Sequence, residues 1–418
     1  MRFLMWDEAH WRRTLTIILV VGFALRLVWA LAVPMEPVSD SHAYHVFATN
    51  LAEHGVYGWT PDQPGAYWAV GTSAIVAALY VVFGPGFGPI VVLNVIISVA
   101  VIAQVFFLAR HYFDTATGLL AAALIAIWPS LIMYVTVLAS EVLFIFFVLG
   151  GLLAFVHRWQ RVWAGILVAG LFWAAAVYVR PLAILLPLIF GFATVVHGAR
   201  LGAILVKAVA VIAVMAVTIA PWTYRNYTVF GKPVLISTNF GANFWMGNNP
   251  ETTGGYQPTP DHTRHLSETE RSAQLQREAM DYIKAEPGAF VLRTAGKFLR
   301  LHERETIAVH WNKTAIDRVF GQTVSKGLRL IATGYWYLVL LLGLAGLVMV
   351  FRRQGVIRAF FHPVVLSWSY FASVHAIIVV SDRYHFPCIP AIAVLAAVTL
   401  ATLAQRSGQA KLQKQVAS

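Results

Sequence analysis

Apolar runs about as long as a bilayer is thick recur along this chain, and no other feature narrows its fold as much. They lie at about 14–34, 88–109, 116–134, 141–156, 163–179, 182–197, 203–221, 329–350, 363–380 and 386–404. A lone span needs roughly 20 apolar residues. Several runs are shorter, which suits helices that pack and tilt in a bundle. Of the 418 residues, 59% are hydrophobic and only 12% charged, about half the usual share of charge in a soluble domain. An ordinary soluble enzyme and a disordered chain are both excluded. The 31 Lys and Arg exceed the 19 Asp and Glu, giving +12. In a membrane chain that excess is first a topology signal, so no nucleic-acid partner is expected. The single cysteine, Cys388, permits no internal disulfide.

An eleventh apolar stretch, Tyr67–Phe83, follows Pro64-Gly65 and ends at Gly84-Pro85-Gly86. Whether it crosses decides the topology. If it does not, and the N-terminus is cytoplasmic, the inside segments hold Arg2, Arg12, Arg13, Arg110, Arg158, Arg161, Arg200, Lys207, Arg352, Arg353, Arg358, Arg406, Lys411 and Lys414. The short outer loops hold only Arg180 and Arg383. If it does cross, all but the first three of those cations move outside. The positive-inside rule therefore predicts that 67–83 lies in the outer interface or dips back. Ten spans with both ends cytoplasmic follow. The N-terminal run is too long for a typical signal peptide and reads as an uncleaved first helix.

Three parts result. Residues 1–221 form a membrane module with a first outer loop at 35–87. Residues 222–328 form a second outer segment. Residues 329–418 hold the last spans and a short, basic, loose tail. The first outer loop has no Lys or Arg and four acids, Glu36, Asp40, Glu53 and Asp62. The second opens with turns at Gly247-Asn248-Asn249-Pro250 and Gly254-Gly255. Ser267-Glu268-Thr269-Glu270 reads as a capping box that starts a helix to about Ala285. A further helix follows Pro287 and reaches about Arg304.

Within these outer segments the sharpest feature is Glu36-Pro37-Val38-Ser39-Asp40-Ser41-His42-Ala43-Tyr44, just past the first span. It leads into an amphipathic stretch, Ala43–His54. Asp40 suits either a helix cap or a general base. Glu141, beside Ser140 at the start of an apolar run, is costly there unless it faces a cavity, a partner or the helix dipole. Arg180, Arg225 and Arg383 stand at span ends on the same side. A guanidinium there can grip a phosphate or snorkel to lipid headgroups. His42 and His45, three apart and close to Asp40, suit a weak divalent-metal site or none. Asp62-Gln63-Pro64 reads as a turn or as part of a substrate loop. No nucleotide-binding loop, zinc-type cysteine pairing or nucleophile elbow stands out.

Several of these segments together resemble the GT-C membrane glycosyltransferases. They are Leu25-Arg26-Leu27 at the end of the first helix, Asp40 with Tyr44 four residues on, and Gly55 closing the amphipathic stretch. The branch they most resemble holds the protein O-mannosyltransferases and the bacterial aminoarabinose transferases. Asp62-Gln63-Pro64-Gly65-Ala66-Tyr67-Trp68 resembles that branch's acid–Lys–Pro–x–x–Tyr–Trp segment, with Gln63 in place of Lys. Glu141 falls where the family places a second outer acid, usually Asp. Phe230-Gly231, Ser237-Thr238-Asn239 and Gly247-Asn248-Asn249-Pro250 resemble a bacterial subgroup.

The resemblance implies an all-α GT-C bundle in a bacterial inner membrane, with its site at the periplasmic face. It implies inverting transfer of one sugar from a polyprenyl-phosphate carrier to an acceptor hydroxyl on a protein, lipid or polysaccharide. Asp40 would be the base and Glu141 its helper. Arg383, with Arg180 or Arg225, would hold the donor phosphate. Tyr44, Asp62, Gln63, Tyr67, Asn248 and Asn249 would line the substrate. Two rivals stay open: a transporter of lipid-linked sugar, and a non-catalytic glycan-binding scaffold around Phe244-Trp245. Against the transporter, the acids sit at span mouths and no inverted repeat is evident.

Overall fold

The computed structural model describes residues 8–417. Arg2 and the side chains of Lys411 and Lys414, which enter the charge comparison, lie outside the described residues. Among those residues the chain is helical, with one isolated bridge pairing Thr60 and Gln63. Six helices are long and apolar enough to cross a membrane. They are α1 (Glu8–Ala32), α4 (Gly88–Tyr112), α7 (Val162–Val179), α9 (Leu201–Phe230), α13 (Gln322–Gln354) and α15 (Ile389–Ala417). A seventh is the bent pair formed by α5 (Thr115–Ala126) and Pro129–Thr136, which turn by 55°. The other expected runs form shorter helices: α6 (Glu141–Val156), Pro181–Val196 with α8 (Leu186–Val196), and α14 (Pro363–Ile377). By length and apolarity alone, six helices among the described residues qualify as spans, or seven if the bent pair is one span.

The bend has a local cause. Pro129 has no N–H and pushes Trp128 out of the helical region, to φ −66°, ψ 113°. That strands carbonyls at the end of α5. Arg26, fully buried on α1, takes them: Nη1 donates to Ala126 O at 2.9 Å and Nη2 to Ile125 O at 3.2 Å. Its Nε donates to Ser98 Oγ on α4 at 2.6 Å. One cation therefore fixes three elements, and the price of burying it is offset by four acceptors, Gly22 O included.

The stretch at 67–83 stays at one end of the bundle. It forms α3 (Val70–Phe83) beside α2 (Asp40–His54). Gly71 lies so close to the backbone of Tyr178, at the end of α7, that a Cβ there would stand 2.7 Å from the Tyr178 carbonyl. Further along α3, Val76, Ala77 and Tyr80 pack with Met35, Tyr44, Ile90 and Leu138. Tyr44 lies in α2, and the other three sit where α1 ends, where α4 begins and just before α6. Both halves of α3 therefore meet the same end of the bundle.

α9 continues past the apolar run, through Pro221 to Phe230, into the second outer segment. That segment then holds α10 (Phe240–Gly247), α11 (Glu268–Ala285) and α12 (Pro287–Leu301). The expected capping box forms at Ser267 and Glu270. At the segment's other end α13 starts at Gln322, before the apolar run at 329–350. The C-terminal tail, expected to be loose, continues α15 as helix to Ala417.

The two outer segments are laced together. Glu268 accepts from Ala66 N at 3.0 Å and from the Thr238 hydroxyl, and Thr238 N donates to Ala66 O at 2.9 Å. The strap after α14 is held as well. Lys297, buried, donates to Gly247 O and Ile377 O at 3.0 Å each, and Val380 N donates to Gly254 O at 2.9 Å.

Candidate active site

Four side chains from separate elements meet at this end. Asp40 opens α2, Glu141 opens α6, Arg180 follows α7, and Arg383 lies in the turn between α14 and α15. Arg383 Nη2 donates to Asp40 Oδ2 at 2.7 Å, and its Nη1 stands 3.6 Å from Glu141 Oε1. Arg180 pairs with the same Glu141 oxygen and donates through Nε to Ser140 Oγ at 2.9 Å. The result is an alternating row: Asp40, Arg383, Glu141, Arg180. Glu141 is fully buried, while 25% of the Asp40 side chain and 15% of Arg383 remain exposed. Glu141 is thus the buried member of the row, and Asp40 is its most exposed one.

The helix-cap reading of Asp40 does not hold. Ser39 is the N-cap residue, no side chain caps α2, and the Asp40 carboxylate turns to Arg383 instead. Ser39 has φ 53°, the one positive φ at a non-glycine among the described residues. Strain of this kind costs on the order of 1–3 kcal/mol and collects at functional sites. Glu141 does not cap α6 through a side-chain bond either. Its second oxygen, Oε2, is buried without a hydrogen-bond partner among the described residues.

Aromatic rings wall the row. The Arg383 guanidinium lies 4.8 Å from the centre of the Trp311 ring and 5.2 Å from that of Tyr384. Tyr384 stacks on His375 at 4.5 Å. Burial tends to lower the pKa of Arg383, but Tyr384, Asp40 and Glu141 outweigh it, so the group is held above its ordinary value and stays a cation. Tyr44 and Tyr67 are pushed up to about 12, by burial first and then by the charge of Asp40. Both phenols stay protonated beside the acid and can donate to a ligand.

The other expected residues are placed differently. Arg225 is not part of the row: it donates to Gly65 O at 2.7 Å and Tyr57 O at 3.3 Å, and so fixes the first outer loop. Asn248 and Asn249 are buried and bond to the backbone, Asn248 to Phe244 O and Ile377 O, Asn249 to Trp245 O. They shape the strap rather than present amides to a ligand. Asp62 and Gln63 lie exposed in the turn of the Thr60 bridge. His45 shares a 2.8 Å hydrogen bond with Tyr80, and among the described residues no three His, Cys, Asp or Glu stand together as metal ligands. Both acids of the row face guanidinium groups, whose charge opposes a cation. The residues present do not fit the divalent metal suggested by His42 and His45. Sequence reasoning missed Trp311 and His375. Trp311 lies inside the second outer segment and His375 inside an apolar run, so neither carries a local signal.

The α-helical bundle, with an acid–arginine row at one mouth, has a fold of the GT-C type found in membrane glycosyltransferases. Residues 66–224 match the family described as dolichyl-phosphate-mannose-protein mannosyltransferase. That match includes Glu141 and Arg180 but not Asp40 or Arg383. The fold is similar to the oligosaccharyltransferase of Archaeoglobus fulgidus in the apo form, with a TM-score of 0.59 and 14% identity over 99% of this chain and 53% of that one. It is also similar to the archaeal oligosaccharyltransferase AglB from the same organism in complex with an inhibitory peptide and a dolichol-phosphate. There the TM-score is 0.57 and the identity 14%, over 99% of this chain and 52% of that one. The chain thus spans about half the length of these solved structures. No curated protein matches it by sequence.

Proposed function

We propose that this protein transfers a single sugar from a polyprenyl-phosphate carrier to an acceptor hydroxyl, with inversion, at the periplasmic mouth of a ten-span bundle in the inner membrane. The observation that carries the reading is the contact of Asp40 with Arg383, a candidate base and a candidate phosphate ligand held 2.7 Å apart. The acceptor oxygen would bond to the anomeric carbon as the bond from that carbon to the phosphate oxygen breaks. Its proton would pass to Asp40, and the polyprenyl phosphate would leave. Arg383 would stabilise the charge growing on the leaving phosphate.

In the structure the two tasks interfere, because Arg383 neutralises Asp40. A donor phosphate competes for the same guanidinium and so frees the carboxylate to act as base. Glu141, pinned between two arginines, keeps both cations in place rather than accepting the proton. The dolichol-phosphate named with the archaeal neighbour supports a lipid-phosphate ligand for this fold. The sugar is a hexose or pentose, and the acceptor a protein, lipid or polysaccharide.

Mass spectrometry of carrier lipids from cells with and without the gene tests the reading. Accumulation of a sugar-phosphate polyprenol in its absence is the expected result. Unchanged carrier lipids and unchanged envelope glycans would overturn it.

A further inference from the structure

Behind the row lies a second buried polar group that the proposed transfer does not use. Glu305, in the second outer segment, and His385, two residues after Arg383, are both fully buried. Glu305 Oε2 lies 3.1 Å from His385 Nε2, and Glu305 Oε1 accepts from Trp128 Nε1 at 2.8 Å. The other imidazole nitrogen, Nδ1, lies 3.0 Å from Leu301 O. A carbonyl can only accept, so Nδ1 carries a hydrogen. The contact between Nε2 and Glu305 then holds one further proton, on either the carboxyl or the imidazole. Trp336 covers the ring face at 4.2 Å.

A second tie runs parallel. Asp382, just before Arg383, accepts from Thr306 Oγ1 at 2.7 Å and from Thr306 N at 3.2 Å. The turn that carries Arg383 is thus gripped on both sides by residues 301–306, at the end of α12. A buried polar contact this complete is weak as a source of stability, and its strength lies in fixing one geometry.

We propose that Glu305 is a positioning residue, acting with His385 to set Arg383 against Asp40 and so to couple the second outer segment to the donor phosphate. This rests on the proposed transfer only for the identity of the ligand. The coupling itself is a statement about the turn at 381–386.

Two readouts in the purified full chain test it. The first needs no substrate: hydrogen exchange of the backbone at 381–386. Glu305→Ala should speed exchange there at least tenfold, and Thr306→Val should do so more weakly. Glu305→Gln keeps an acceptor for Trp128 and can donate to His385, so it should restore most of the protection. The second is binding of polyprenyl phosphate in detergent. Glu305→Ala should weaken it about as much as Arg383→Ala, and the double variant should be no weaker than Arg383→Ala alone. Unchanged exchange at 381–386 in both Glu305→Ala and Thr306→Val would overturn the proposal. So would losses that multiply in the double variant. If the exchange changes appear while the unaltered protein binds no polyprenyl phosphate, the positioning stands and the lipid-phosphate reading fails.

Discussion

At the scale of single residues, Asp40 separates a base from a structural acid. Its carboxylate does not cap α2, so its replacement should leave the helix intact. Asp40→Asn keeps the size and a hydrogen-bonding oxygen for Arg383. We expect transfer to fall about 10²–10⁴-fold, the usual cost of losing a general base. Thermal unfolding should stay close to that of the unaltered protein. Near-normal turnover in a folded variant would remove Asp40 from the chemistry. Glu141 should show the opposite balance, because it is fully buried between two cations. Glu141→Ala leaves Arg180 without its acid, while Arg383 keeps Asp40, and breaking such a buried pair costs about 3–5 kcal/mol. A large drop in unfolding temperature should precede any interpretable change in rate. A variant as stable as the parent would mean that the row does not hold this mouth together.

At the scale of elements, α12 and the turn after it are the places where pH should act. Burial lowers the His302 pKa from 6.5 to about 4, the Phe298 carbonyl opposes that weakly, and Trp368 Nε1 donates to its Nε2 at 2.9 Å. Folded His302 therefore stays neutral where the unfolded chain already takes a proton. The contribution is complete above pH 6.5 and declines as pH falls from 6.5 toward 4. Unfolding temperatures measured across that window should drop with acid, and His302→Gln should flatten the slope. An unchanged slope in the Gln variant would assign the acid loss to other groups. On the other side of the mouth, α3 depends on the absence of a side chain at Gly71. A Cβ there would meet the Tyr178 carbonyl carbon at 2.7 Å. Gly71→Val should cost about 1–3 kcal/mol, as overpacking does. Because α3 supports Tyr44 through the Ser73 hydroxyl, the same variant should weaken the site.

At the scale of the whole molecule, both outer segments are expected on one side of the membrane. Cysteines placed at the exposed Gln63 and Ser267 should react together with an impermeant reagent in intact cells. The native Cys388 is fully buried and stays silent. Labelling of one position and protection of the other would break the arrangement, since Glu268, next to Ser267, binds Ala66 directly. Ser41 would be a poor probe, because the structure buries it.

Much of the bundle was legible before any coordinates, because the information is local. A membrane run announces itself by length, Ser267 and Glu270 announce a helix start, and charge asymmetry predicts that 67–83 stays at one end of the bundle. The turn at 37–44 and Glu141 likewise stood out, since an acid at a span mouth is costly enough to need a reason. What sequence alone could not decide was partnership. Asp40 and Arg383 are 343 residues apart, and a row of alternating charge exists only once four chain-distant ends converge. Arg225, a cation at a span end, and Asn248 and Asn249, in a turn that resembles a family motif, looked like ligand groups. The fold turned them inward, since bent and packed segments leave backbone carbonyls that must be satisfied. Arg26 shows the same rule inside the bundle, and Glu305 with His385 at the back of the site. Residue type marked where a polar group sits. Only the packing of distant segments decided whether it faces a ligand or completes the protein's own hydrogen bonds.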